Sequence, residues 1–335
     1  MKKLICVLLS VLMALTAVAF VGCEAKAETL KLGLGVYTGI TKATSAEGDT
    51  NGQGQAATTV AVVTVDAEGK IVACQLDTAD YTVAYTADGK AIANESFLTK
   101  YEQGANYNMV AYGGAAKEWF EQADAFETVV CGKTLTEVKA LVAGEGKGTD
   151  AVISAGCTIG ISDFVLAIEK AYNNAVASDA TSAHTLKLGF HTAQTTTDAE
   201  GDKNGSNELV TTIFAAAVDA EGKIVAATSD CVQVTFGFTA AGASTFDTSK
   251  AVQTKKELGS NYGMSAYGTD LNGDGVVKEW FEQAAAFDAA CVGKTAADLN
   301  ALLGEDSYHG NADLQTAGCT MGVADLVKAA AKIAK

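Results

Sequence analysis

Apolar and polar positions run through one programme twice along this chain. From Thr58 to Val65 apolar residues alternate around Val60, Val62 and Val65, the period of a half-buried strand. Asp66-Ala67-Glu68-Gly69 reads as a turn with Gly at a positive-φ position, and Ile71 to Leu76 returns to complete a hairpin. Tyr81 to Tyr85, followed by Asp88-Gly89, predicts a further strand and turn. From Lys117 the period changes. Trp119, Phe120, Ala123, Phe126 and Val130 recur at intervals of three and four, the stripe of an amphipathic helix that Gly132 closes. Thr134 with Glu137 forms a capping box for a second short helix, and Phe164, Val165 and Ile168 mark a last one. Antiparallel strands followed by helices predict an α+β module.

The programme then restarts. Leu30-Lys31-Leu32-Gly33 returns as Leu186-Lys187-Leu188-Gly189, and the nine residues Val65 to Ala73 return intact as Val218 to Ala226. Lys117 to Gln122 returns as Lys278 to Gln283, and Ala155-Gly156-Cys157-Thr158 as Ala317-Gly318-Cys319-Thr320. Thr295 with Asp298 repeats the capping box. The order is the same both times, so the expectation is two tandem copies of an antiparallel-sheet-plus-helices module, over residues 30–175 and 184–335. The small, polar stretch Asn173 to Ser182 reads as the linker.

Ahead of the first copy, Met1-Lys2-Lys3 and the apolar run Leu4 to Val21 have the order of a secretory signal peptide, residues 1–22. Val21-Gly22-Cys23 reads as a lipobox in which Cys23 becomes the acylated lipid anchor and residues 23–29 a tether; two acyl chains suffice for stable anchoring in a membrane. Ala25-Lys26-Ala27 is the competing site, giving a secreted protein, and a retained transmembrane helix is the third reading. Any of these exports the chain, and the first places it on the cell surface.

Composition narrows the partners. A net charge of −16 argues against nucleic acid, whose phosphates need a basic face. Every one of the 24 basic residues is Lys, so the bidentate fork that Arg offers to phosphate or carboxylate is missing. There is no Cys-x-x-Cys, and His184, His191 and His309 form no metal spacing.

Four features carry candidate chemistry. Cys131 with Cys157, and Cys291 with Cys319, recur at equivalent places; the expectation is one disulfide per copy or two buried thiols. Asp270, Asn272 and Asp274, with Gly at the sixth position and Glu282 nearby, resemble the start of a calcium loop, or else a polar turn confined to the second copy. Asn-Tyr-x-Met-x-Ala-Tyr-Gly places Tyr107 and Tyr112, then Tyr262 and Tyr267, where they would line a flat aromatic ligand or pack the core. Gly132-Lys133-Thr134 and Gly293-Lys294-Thr295 look like the end of a phosphate loop, but they follow a helix and lack its earlier glycine, so they read as helix ends.

The order of parts resembles the FMN-binding domain of exported flavoproteins, of the type of the small subunit of sodium-pumping quinone reductases. That family has an acidic-Gly-Lys hairpin turn and, late in the domain, an Asp-x-x-Ser/Thr-Gly-Ala-Ser/Thr segment whose last hydroxyl carries FMN as a phosphoester. Gly156-Cys157-Thr158 and Gly318-Cys319-Thr320 stand where Gly-Ala-Thr would, preceded by Asp150 with Ser154 and Asp313 with Thr316. Cys replaces Ala and the spacing is longer, so the motif is degenerate. The resemblance implies FMN on Thr158 and Thr320, and an electron-carrying role with a redox partner at the cell surface. The alternative is a duplicated binding or interaction lipoprotein without cofactor.

Overall fold

A computed structural model describes residues 28–334 of the chain apart from 272 and 274. The signal peptide, Cys23 and most of the tether lie outside the described residues, as do Asn272 and Asp274 of the calcium-like loop. In the first copy β1 (Lys31–Thr44), β2 (Gly52–Val65), β3 (Ile71–Tyr85) and β4 (Ala91–Ile92) precede α1 (Lys100–Gln103), α2 (Met109–Gly113), α3 (Trp119–Val130), α4 (Leu135–Lys139), α5 (Asp150–Ala155) and α6 (Ser162–Asn173). After β5 (Val176–Ala177) the second copy supplies β6 (Thr185–Thr197), β7 (Gly205–Val218), β8 (Ile224–Phe238), α7 (Lys255–Leu258), α8 (Trp280–Cys291), α9 (Ala312–Thr316) and α10 (Ala324–Ala331). The fold is α+β: two antiparallel sheets, ordered β4-β3-β2-β1-β5 and β6-β7-β8, with helices outside each.

The repeated hairpin turn explains its own sequence. Asp66 Oδ1 accepts the Lys70 amide at 2.7 Å, Asp219 Oδ1 accepts that of Lys223 at 2.8 Å, and Gly69 and Gly222 sit at φ 78° and 79°, where a Cβ would be strained. Tyr81 to Tyr85 is not a separate strand. β3 runs unbroken beside β2 from Val65↔Ile71 to Gly52↔Tyr85, carried through its polar middle by a 3.1 Å Thr59–Thr78 hydroxyl bond. The register also corrects the opening repeat. Thr185 pairs with Val218 as Lys31 pairs with Val65, so Leu32-Gly33-Leu34-Gly35, not Leu30 to Gly33, matches Leu186 to Gly189. A shift of two residues leaves every side chain on its original face, so the hydrophobic pattern tolerates either alignment. Packing does not: a Cβ on Gly35 would lie 2.1 Å from the Ala167 carbonyl oxygen, and one on Gly189 2.0 Å from that of Ala329.

The central strands are buried on both faces. Ala61, Val63 and Val65 face α3 and α6, while Val60 and Val62 face the other sheet. In β7 Phe214, Ala216 and Val218 face α8 and α10, while Ile213, Ala215 and Ala217 meet the first sheet. The result is four layers, helix–sheet–sheet–helix, around three large hydrophobic cores, with a smaller cluster of Tyr85, Ala199 and Phe238. β1 lies against β8 and β3 against β6, which relates the copies by a pseudo-twofold axis. The Asn173–Ser182 linker is structured: Val176 and Ala177 pair with Leu32 and Lys31, and Leu30 donates to the carbonyl of fully buried Ala180 at 2.7 Å. It thereby covers an otherwise open sheet edge.

Candidate functional site

The repeated motifs converge on one buried glutamine in each copy. Capping boxes at Glu118 and Glu279 start α3 and α8, so the following turn buries Gln122 and Gln283 on the sheet-facing side. Gln122 Oε1 accepts the amide and hydroxyl of Thr158 at 2.9 and 3.0 Å, while its Nε2 donates to the Lys117 carbonyl at 3.0 Å and touches Met109 Sδ at 3.4 Å. Gln283 repeats the set, accepting the amides of Thr320 and Met321 at 2.8 and 2.7 Å and reaching Lys278 O and Met264 Sδ. Glu118 and Glu279 accept the amides of Met109 and Met264, both at 2.9 Å. One glutamine therefore ties together the Asn-Tyr-x-Met segment, the Lys-Glu-Trp-Phe helix and the Ala-Gly-Cys-Thr segment.

The tyrosines divide. Tyr107 and Tyr262 lie part-buried beneath lysines, with Lys100 Nζ 5.1 Å and Lys255 Nζ 4.9 Å from their ring centroids. Tyr112 and Tyr267 are exposed, at 88% and 62%. The two threonines also part company. Thr158 is exposed, whereas Thr320 keeps 5% of its surface. A Cβ on Gly156 would lie 2.3 Å from Lys117 Nζ, so an ammonium is seated beside the Thr158 segment. Asp150 and Ser154 are exposed on α5, and Thr316 spends its hydroxyl on the Ala312 carbonyl. These residues fit a phosphate-linked flavin in the first copy; the burial of Thr320 does not fit one in the second.

The six cysteines among the described residues are free thiols, so neither expected pairing is formed. Cys131 is exposed beyond the last turn of α3, where its thiol takes a bond from the Cys74 backbone, while Cys157 is buried behind α5. Burial pushes the Cys157 thiol up to about 11 and that of Cys319 to about 12, which keeps both protonated and inert. The two described members of the calcium-like loop are engaged by the protein. Asp270 accepts the amides of Gly273 and Gly275, at 2.8 and 2.9 Å, and Glu282 closes the capping box on the Glu279 amide. No group of three or more His, Cys, Asp or Glu among the described residues is placed to hold a metal.

Sequence reasoning missed a cleft between the copies. A cavity of about 230 Å³ opens where β3 meets β6, lined by Gln75, Asp77 and Glu102 of the first copy and Lys187, Phe190 and Lys332 of the second. Thr99 with Glu102 is a capping box that aims α1 at Asp77, whose Oδ1 accepts the amides of Thr78 and Tyr101 at 2.6 and 3.1 Å. Burial pushes Asp77 up to about 7, and burial likewise raises Glu127, which accepts the Leu76 amide at 2.7 Å, to about 8. Thr254 with Glu257 and Asp230 form the matching set in the second copy, with Asp230 raised by burial to about 6. The signal was present: Thr-Lys-x-Glu follows the Asp of β3 in the first copy and that of β8 in the second. No protein-family model, curated protein or solved structure matches the chain.

Proposed function

We propose that the chain is an exported, lipid-anchored binding protein of the cell surface whose two copies work as one unit, without covalent chemistry of its own. The observation that carries this reading is the cleft at the β3–β6 seam, which holds polar groups of both copies around an open cavity. The repeated motifs support it from the other side, since their hydrogen bonds are used up inside each copy. The acidic charge and the Cys23 anchor suit a protein displayed outside the membrane. The test is native mass spectrometry of the processed chain after equilibration with a mixture of small metabolites. A retained ligand, released unchanged, is expected; an empty chain or a converted ligand would overturn the reading.

A second reading is favoured by one contrast, the exposure of Thr158 beside Lys117. Here the first copy carries FMN, which supplies electron-transfer chemistry when bound, for a redox partner at the cell surface. Thr158 offers the attachment hydroxyl, giving up its bond to Gln122, with Lys117 a cation for the phosphate and the Tyr107–Tyr112 segment an aromatic surface. Co-expression with a flavin transferase is then expected to add one flavin mass, lost in Thr158→Ala and kept in Thr320→Ala. Colourless protein of unshifted mass excludes it.

A further inference from the structure

The pseudo-twofold axis gives the molecule two clefts, one where β3 meets β6 and one where β8 meets β1, and they are not alike. By strand register Gln75 corresponds to Thr228 and Asp77 to Asp230, and by their capping boxes Tyr101 corresponds to Lys256. In the second copy Lys256 Nζ donates to Thr228 Oγ1 at 3.0 Å, stands 3.6 Å from Asp288 Oδ2 and offsets the burial of Asp230. An ammonium of the protein's own therefore stands in that cleft, where Ser229 Oγ and Asp288 Oδ1 still lack hydrogen-bond partners, and the linker strand lies alongside it.

The first copy has no such group. Tyr101 turns its hydroxyl to Asp124 at 3.3 Å instead. Gln75 Oε1 is left buried with no hydrogen-bond partner, and Asp77, 7% exposed, has no ion-pair partner among the described residues. Glu127 stands where Asp288 receives Lys256, and it too is without a cation. A buried carbonyl without a donor costs about 1–3 kcal/mol, and a turn of the Gln75 side chain, which lines the cavity, would bring this one to a donor there. Opposite these acceptors Leu188, Gly189 and Phe190 form an apolar stretch of wall, and Lys187 and Lys332 also line the cavity. At about 230 Å³ the space falls below the roughly 300 Å³ at which pockets for drug-sized ligands begin.

We propose that the β3–β6 cleft binds a small primary-ammonium ligand with a short apolar body, of alkylamine or amino-acid size, its ammonium standing where Lys256 Nζ stands in the second copy. The ammonium donates to Gln75 Oε1 and pairs with Asp77, and the apolar body lies on Leu188 and Phe190. The Glu102–Lys332 ion pair, at 2.7 Å, forms the rim. This assignment rests on the binding-protein reading above and names its ligand.

Calorimetric titration of the processed full-length chain at pH 8 tests it, with n-butylamine, L-leucine and butyrate as probes. Butylamine or leucine is expected to bind saturably and butyrate not; binding by leucine alone identifies an amino acid as the source, and binding by butylamine an amine that needs no carboxylate. Gln75→Leu is expected to weaken the bound probe at least tenfold without lowering the melting temperature, because it removes an unsatisfied carbonyl. Tyr101→Lys, which copies the second cleft, is expected to abolish binding and raise the melting temperature, while Asp230→Asn leaves the affinity unchanged. Amine binding that survives Gln75→Leu and Tyr101→Lys, or a preference for butyrate, would overturn the site. Silent amines together with a ligand retained in the mass-spectrometric experiment overturn the ammonium assignment alone; silence in both overturns the binding reading as well.

Discussion

Lys332, at the end of the second copy, reaches Glu102 of the first at 2.7 Å, and Lys170 of the first reaches Glu257 of the second at 2.6 Å. The two bonds are one interaction made twice about the pseudo-twofold axis. Each joins a closing-helix lysine to the capping-box glutamate of the other copy, so the duplication serves the interface as well as the modules. Buried Asn207 of β7 adds to the contact between the sheets by donating to the Ala84 carbonyl of β3 at 2.9 Å.

Both ion pairs are partly buried, with side chains between 18% and 32% exposed. That places them between surface pairs and buried ones, so Lys332→Met and Lys170→Met are each expected to cost about 1 kcal/mol. The two sit at opposite seams of the sandwich, so their effects should add. Urea denaturation of the single and double variants measures this, and a double variant no weaker than either single one would contradict it.

Gln122→Leu and Gln283→Leu leave buried donors without an acceptor. The second should cost more. Gln283 accepts two backbone amides, those of Thr320 and Met321, whereas Gln122 accepts one amide and an exposed hydroxyl. At about 1–3 kcal/mol per orphaned donor, the difference is within reach of equilibrium unfolding. Equal losses would remove the glutamines from the centre of the repeated motif.

Asp77, Asp230 and Glu127 are raised by burial to about 7, 6 and 8. Between the ordinary carboxylate value and these values the folded chain holds more protons than the unfolded one. Stability is therefore full below about pH 4 on their account, falls as pH rises, and levels off above about pH 8. Asp325 acts oppositely: its hydrogen bond with His191 holds it down at about 2, and its contribution is lost only in stronger acid. Melting temperature against pH should peak on the acid side. Asp77→Asn keeps the Oδ1 acceptor for Thr78 and Tyr101, and it should flatten the descending limb up to pH 7; an unchanged slope counts against a buried Asp77 charge.

Of the described cysteines only Cys131 is exposed. A thiol reagent should modify it first, with the other five protected until unfolding, and the count should be the same before and after reduction. A reduction-dependent increase would restore a disulfide that the folded chain does not contain.

Much was legible in one dimension because it depends on neighbours in the chain. The Asp66–Gly69 turn, the Trp119–Val130 stripe and the Thr134–Glu137 and Thr295–Asp298 caps are local, and each forms where its pattern stands; Thr58 to Val65 is a strand, but one buried on both faces rather than the half-buried one its alternation predicts. β1 was hidden by Gly33, Gly35 and Gly39, which weaken a strand pattern; Gly33 and Gly35 here admit the backbone of α6. The duplication, too, is a property of the sequence alone. Tertiary structure decided the rest. It set the two-residue register of the opening repeat, because a period of two cannot distinguish that shift. It set two sheets face to face, because Val60 to Val63 must be covered on both sides. It also buried Thr320 while exposing Thr158, and left Gln75 unpartnered while Lys256 satisfies Thr228. Copies that share their motifs acquire different surroundings where their sequences diverge and where each packs against the other.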